Sequence, residues 1–359
     1  MTAKRRGFPY FYTILALLLL IGIIAVAYGL TLLNRWMADY EASQPKYVAE
    51  RMFTEYFADP DYNELLRITG GQHSEFETHD DLVRYVSDQI GSGKTEYRGV
   101  TGDLSGDTLK YVVSAGDVRF AQFTVVKSGE VTEFGNPIYS YGDIQLFYMT
   151  DTVSVTVTAP AGATVYINGI ALDSGELVSS AETESCSHMP DGVTGLVMNT
   201  YTVSGLLYDP EVEVTDRDGI ACELTRGEDG AYTAAVNYSE ELKTKYADMI
   251  IDFTEKYAAY TAANLRFSAF SERLDKSSEL YEQIRTLATN TVFANDGYKF
   301  VDQTAEEFYM YDEGVFSCHV KLTQILWRAH RDDYYVYVDI VFYLHEINGE
   351  YLIYSMDVQ

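Results

Sequence analysis

The sequence predicts an α+β protein: one N-terminal transmembrane helix, then two α+β domains that flank a small all-β module. Three observations carry that expectation. An uncharged run from Gly7 to Asn34 contains Ile14 to Ile24 with scarcely a polar atom in it. Beyond it, apolar residues recur at helical spacing in two blocks, and each block gives way to strands that alternate with a period of two. Between those blocks, residues 150–238 carry the alternating pattern alone.

At about 1.5 Å per residue the apolar run is long enough for the roughly 30 Å hydrocarbon core of a bilayer. Lys4, Arg5 and Arg6 precede it and no acidic residue occurs before Asp39, so the positive-inside bias places residues 1–8 in the cytoplasm and the rest outside. Tyr10, Tyr12 and Trp36 fall where amphipathic rings favour the headgroup layer. Ala25-Val26-Ala27 has the small-x-small form of a signal cleavage site, but Tyr28 to Leu33 prolong the run beyond a signal h-region. A retained helix over residues 9–34, then a polar stalk over 35–45, is the expectation.

The chain has 359 residues and a net charge of −28. All 54 acidic residues lie beyond Met37, whereas Lys4, Arg5, Arg6 and Arg35 lie before it, which argues against nucleic acid or anionic lipid as partners of the exterior part. No Asp-x-Asp-x-Asp-Gly calcium loop occurs, and no metal site or cofactor is expected. With three cysteines, at least one is unpaired. Cys186 and Cys222 fall in one segment and form the disulfide candidate, while Cys318 in an alternating strand is expected to be buried. Cys186-Ser187-His188 has no Cys-x-x-Cys partner to complete a zinc site.

The first domain is expected over residues 46–149. Val48, Met52, Phe53 and Tyr56 share one face of a helix that Pro60 ends, and a short helical piece follows at Tyr62 to Leu66. Thr78 with Asp81 forms a capping box before a helix carrying Leu82, Val83, Val86 and Ile90, with Gly91 as its stop. Strands are then expected at Thr95–Val100, Leu109–Ala115, Val118–Val126 and Tyr139–Met149. The β module over 150–238 opens with Val153 to Thr158, and Asn168-Gly169 marks a hairpin between short strands. Ser174 to Pro190 reads as an exposed insertion. In the last domain, 239–359, Ser239 caps a helix with Leu242, Tyr246, Met249, Ile250, Phe253, Tyr257 and Tyr260 on one face. A second helix near Ser278 to Ala288 precedes four strands: one at Tyr298–Val301 or Phe308–Tyr311, then Val315–Trp327, Tyr334–His345 and Glu350–Met356, with Asn348-Gly349 as the last turn.

The two α+β blocks share an order and some residues. Lys46-Tyr47 aligns with Lys245-Tyr246, Phe53-Thr54-Glu55 with Phe253-Thr254-Glu255, and Asp143-Ile144 with Asp339-Ile340, which reads as two copies of one fold. Helices followed by a bent antiparallel sheet that closes on Glu350-Tyr351-Leu352-Ile353-Tyr354 resemble the nuclear-transport-factor-2-like superfamily of cone-shaped α+β domains. The stretch Pro160-Ala161-Gly162-Ala163-Thr164-Val165-Tyr166-Ile167-Asn168-Gly169 resembles the PEGA-type β module of bacterial surface proteins. The whole arrangement is similar to membrane-anchored envelope proteins of Gram-positive bacteria, including the teicoplanin-resistance-associated TcaA-like group. That group commonly begins with a cytoplasmic zinc ribbon; no cysteine precedes the span here, so a role tied to the ribbon is not implied. The resemblance implies a non-catalytic protein on the cell membrane, with a cell-wall polymer or an envelope protein as partner.

Gly91-Ser92-Gly93-Lys94-Thr95 imitates a nucleotide loop, but Asp88 stands where a P-loop needs glycine, and the segment leaves a helix to open a strand. No nucleotide is expected there. The cone fold also hosts isomerases, dehydratases and hydrolases, in which a carboxylate or His moves a proton. For that alternative Asp339 and His319 are the catalytic candidates, provided their strand face looks into a pocket. Alternation instead assigns Tyr334, Val336, Val338, Ile340, Phe342 and Leu344 to the core, which leaves Tyr335, Tyr337, Asp339, Tyr343 and His345 outside. Tyr335, Tyr337 and Tyr343 are the ligand-binding candidates, since amphipathic rings stack on sugars and tolerate water, although cross-strand tyrosine pairs are also ordinary sheet stabilisers. A self-associating envelope scaffold is a further alternative.

Overall fold

The computed structural model describes residues 9–100, 107–287, 295–312 and 314–359. The expected cytoplasmic N-terminus, with Lys4, Arg5 and Arg6, lies outside the described residues. The chain divides into two compact units, Met1–Thr152 and Val153–Gln359.

In the first unit, helix α1 runs unbroken over Pro9–Ala42. Its segment from Tyr10 is long and apolar enough to cross a membrane, and none of its most apolar stretch is buried in protein. The helix does not stop at Asn34. Residues 35–42, expected as a stalk, continue it, because no glycine or proline interrupts the backbone between Gly29 and Pro45. Only Ser43 and Gln44 separate it from α2 (Pro45–Tyr56), where Pro45 occupies the first turn without cost because its missing N–H has no helical partner. Helices α3 (Tyr62–Thr69) and α4 (His79–Ile90) follow. The Thr78–Asp81 capping box is formed in both directions, and Gly91 ends α4 at φ 72°.

The helices lie on a four-stranded antiparallel meander, β1 (Thr95–Gly99), β2 (Thr108–Ala115), β3 (Val118–Val131) and β4 (Pro137–Leu146), ordered as in the chain. Val48, Met52, Leu66, Leu82 and Val86 from the helices and Val113, Phe120, Phe123 and Val125 from the sheet are almost wholly buried. At about 25 cal/mol per Å² of apolar surface, such side chains contribute roughly 1.5–3 kcal/mol each.

The second unit opens with the β module: β5 (Val153–Pro160), β6 (Thr164–Ile167), β7 (Ile170–Ala171), β8 (Leu177–Glu182), β9 (Val197–Leu206), β10 (Val212–Thr215), β11 (Leu224–Arg226) and β12 (Tyr232–Ala234). They form a sheet β10-β6-β7 and a sheet β11-β12-β5-β9-β8, in which β12 and β5 are parallel. Asn168 and Gly169 both take positive φ, as the turn between β6 and β7 requires. Strand β8 is exposed throughout, in accord with the insertion expected there. The insertion's second half differs: Glu184–His188 forms a 3₁₀ turn with Ser185 buried.

The unit ends with α5 (Glu240–Thr261), α6 (Glu279–Thr286) and the meander β13 (Gly297–Asp312), β14 (Val315–Trp327), β15 (Tyr334–Ile347) and β16 (Glu350–Val358). Strand β13 is one long strand spanning both segments that alternation offered as alternatives; Asp302 and Glu307, at φ 56° and 57°, absorb its bulges. Its core joins Phe253 of α5 to Phe316, Cys318, Val320, Ile340, Phe342 and Leu344. Tyr334 is exposed rather than part of that core, and Val336 and Val338 are only half-buried, Val338 packing against its edge.

Candidate functional site

Alternation in β14 and β15 decides which side chains meet. Even-numbered residues from Phe316 to Leu322 and from Ile340 to Leu344 face the helices, so His319, Lys321, Tyr337 and Asp339 emerge on the opposite face. Antiparallel pairing sets Lys321 directly across from Asp339 and His319 across from Val341, two residue pairs along. His319 therefore reaches Asp339 diagonally, with Nε2 2.5 Å from Oδ1. The bulge at Glu307 in β13 brings a second carboxylate to the same ring, Oε2 lying 3.1 Å from His319 Nδ1. Lys321 Nζ stands 3.6 Å from the other oxygen of Asp339.

The pair expected from the sequence thus converges, though on an open sheet face. The Asp339 side chain is 38% exposed and that of Lys321 57%. Both nitrogens of His319 face carboxylate oxygens.

Farther along this face, Tyr335 pairs with Ile325 and Tyr337 with Thr323. Tyr337 is the more open of the two, at 80% exposure, and Tyr335 stands at 51%. Tyr343 does not belong with them. It is 3% exposed, since the Glu184–His188 turn lies over it and His188 stacks on its ring at 4.6 Å and 8°. His188 Nδ1 is also within 2.8 Å of Ser355 Oγ, and burial raises the Tyr343 and Tyr354 phenols above their ordinary range. Tyr343 is therefore removed from the ligand-facing set.

A second carboxylate–imidazole pair, absent from the sequence reading, lies at the end of β15. His345 Nε2 is 3.1 Å from Asp275 Oδ2. Burial raises the Asp275 carboxyl, but the Ser277 backbone N–H and hydroxyl together with His345 outweigh it and hold the group below its usual range. Nothing local in the sequence marks Glu307, His188 or Asp275 as partners, because each depends on a bulge or a loop laid against the sheet.

The cysteine expectation is corrected. Cys186 and Cys222 are both free: the Cys186 thiol faces the Leu196 carbonyl at 3.4 Å, while Cys222 lies beside Asn237 Nδ2 at 3.7 Å. Cys318 is wholly buried, and burial pushes its thiol far up. Among the described residues no cluster of three or more His, Cys, Asp or Glu side chains is arranged to hold a metal ion. The Gly91–Thr95 segment leaves α4 and opens β1, and the hollow of about 730 Å³ beside it is lined by Asp59, Asp88 and Lys94.

Compared with known proteins, the chain matches no family profile. No curated protein matches it either. Among solved structures it is similar to one described as an "Ntf2 like protein involved in plasmid conjugation", at 8% identity over 83% of this chain and 94% of that one, with a TM-score of 0.25. At that score the likeness carries no inference about function.

Proposed function

We propose that this is a non-catalytic, single-pass protein of the bacterial cell membrane, N-terminus inside, whose exterior part binds a cell-wall polymer or an envelope protein through the outer face of the β13–β16 sheet. The observation that carries the reading is the chemistry of that face. Exposed Tyr335 and Tyr337 stand on the same side as Lys321, Asp339 and His319, so flat amphipathic rings adjoin fixed charges of both signs. Rings of this kind stack on sugars or fill hydrophobic hot spots, and the charges orient the partner. Support for retention of α1 comes from its continuity: the helix runs through Ala25-Val26-Ala27 and leads within two residues into the first folded domain.

The test is thermal unfolding of the full-length protein in detergent or nanodiscs, with and without soluble peptidoglycan and teichoic-acid fragments. A fragment at about 100 times its Kd stabilises the domain it binds by roughly 2.7 kcal/mol. A shift confined to one fragment class identifies the wall component. No shift with any fragment removes the polymer and leaves a protein partner.

A further inference from the structure

The exit of α1 from its apolar run is bonded to the sheet of the first domain. Thr132 Oγ1 donates to Asp39 Oδ2 at 2.5 Å, and Asn136 Nδ2 donates to the same oxygen at 2.8 Å. Thr132 and Asn136 are the two ends of the β3–β4 turn, closed by the Thr132 N–H to the Asn136 carbonyl and the Gly135 N–H to the Thr132 carbonyl. Asp39 is half-buried by this contact. Ser43, one helical turn on, is buried at 5% exposure and returns its hydroxyl to the Tyr40 carbonyl. Helix α1 is therefore joined to the first domain at two points, the Asp39 clamp on the sheet and the two-residue turn into α2.

Helix geometry fixes the height of that clamp. Asp39 lies six residues past Leu33, the last apolar residue of the run, which is about 9 Å along a helix axis. The headgroup layer on each side of the hydrocarbon core is roughly 5–8 Å deep. The turn bonded to Asp39 accordingly stands at the outer edge of the headgroups. Its neighbours suit that layer: Val131 is 63% exposed beside it, and Trp36 and Tyr40 stack at 5.7 Å on the emerging helix. A notch of about 540 Å³ between the two helices is lined by Trp36, Tyr40, Glu41, Lys46 and Tyr47, which sets aromatic rings beside one carboxylate and one ammonium.

From this geometry we infer that the base of the first domain, the β3–β4 turn together with the Trp36–Tyr47 notch, rests on the headgroup layer of the outer leaflet. Helix α1 and its clamp hold it there. The inference depends on α1 being a retained membrane anchor. Glu130 and Glu133 border the turn, so the surface suits zwitterionic headgroups and the partner is a phosphatidylcholine-like layer rather than an anionic one.

The experiment uses the full-length protein in phosphatidylcholine nanodiscs that carry a nitroxide on the lipid headgroup. An environment-sensitive fluorophore is attached at Val131→Cys, and in a separate sample at Asp117→Cys. Both use a Cys186→Ser background; Cys222 and Cys318 are buried. Asp117 sits at the opposite end of β3, roughly 45 Å along a strand of that length. The expected result is severalfold stronger quenching at position 131 than at 117, lost when Asp39→Ala is added while the thermal unfolding midpoint of the domain stays near wild type. Equal, weak quenching at both positions in membrane-inserted protein overturns the inference and leaves the anchor standing. Strong quenching that survives Asp39→Ala overturns the clamp. Protein isolated without its first residues, by intact mass, overturns the anchor reading itself.

Discussion

His319 illustrates how a residue pattern common in catalysis takes on a different meaning once its surroundings are fixed. Its ring, only 15% exposed, lies between the Glu307 and Asp339 carboxylates, which are 51% and 38% exposed, so solvent screens the contacts from the carboxylate side. Replacing Asp339 by Asn is expected to change stability by less than about 1 kcal/mol in chemical unfolding. A loss of 3 kcal/mol or more, on the order of a core deletion, would contradict the placement of the pair on an open face. Phe342, wholly buried three positions on from Asp339 in the same strand, provides the contrast: Phe342→Ala is expected to cost about 3–5 kcal/mol. Asp275 gives a pH signature. Its carboxyl is held below the ordinary value in the folded state, so its contribution to stability is complete above about pH 3.9 and is lost as the pH falls through the folded value. Asp275→Asn should flatten the acid limb of stability against pH in this unit. An unchanged acid limb would show that the Ser277 and His345 bonds do not favour the charged form.

At the scale of elements, the sequence was most legible where the signal is local. The Thr78–Asp81 capping box, the Ser239 cap, and the Asn168-Gly169 and Asn348-Gly349 turns all depend on residues within four positions of one another, and each forms as read. Thr78→Ala should therefore cost about 1 kcal/mol, measurable by thermal unfolding. Signals that depend on register or on a distant loop were not legible. The bulges at Asp302 and Glu307 interrupt alternation, which made one strand, β13, look like two alternatives. The cover over Tyr343 comes from a turn more than 150 positions away in sequence, so its strand alternation gave no sign of it. The stalk expected beyond Asn34 begins as a continuation of α1, since polar residues extend a helix readily when no glycine or proline interrupts it.

For the molecule as a whole, the α+β reading and the order of elements hold in both units. Each α+β domain sets helices against a four-stranded antiparallel meander in chain order. The paired positions Thr54 and Thr254 even make the same bond, donating to the carbonyls of Glu50 and Ile250 four residues back. The alignment of Asp143 with Asp339 does not survive, since Asp143 lies on the fourth strand of its sheet and Asp339 on the third of the other. The candidate charged cluster is thus a property of the second domain and not of the duplicated fold. The division of labour that follows is a proposal: the first domain seats the protein on the membrane, and the second presents the binding face.

The most direct test of that binding face is a titration of the full-length protein in nanodiscs with soluble wall fragments, run in parallel on wild type and on the Tyr335→Ala/Tyr337→Ala double variant. Both side chains are exposed, so the variant should fold with an unchanged unfolding midpoint. The account predicts saturable binding to wild type and a loss of roughly tenfold or more in affinity for the double variant, the equivalent of about 1.4 kcal/mol. Equal affinity in the two proteins would place the site elsewhere and contradict the assignment of the outer sheet face.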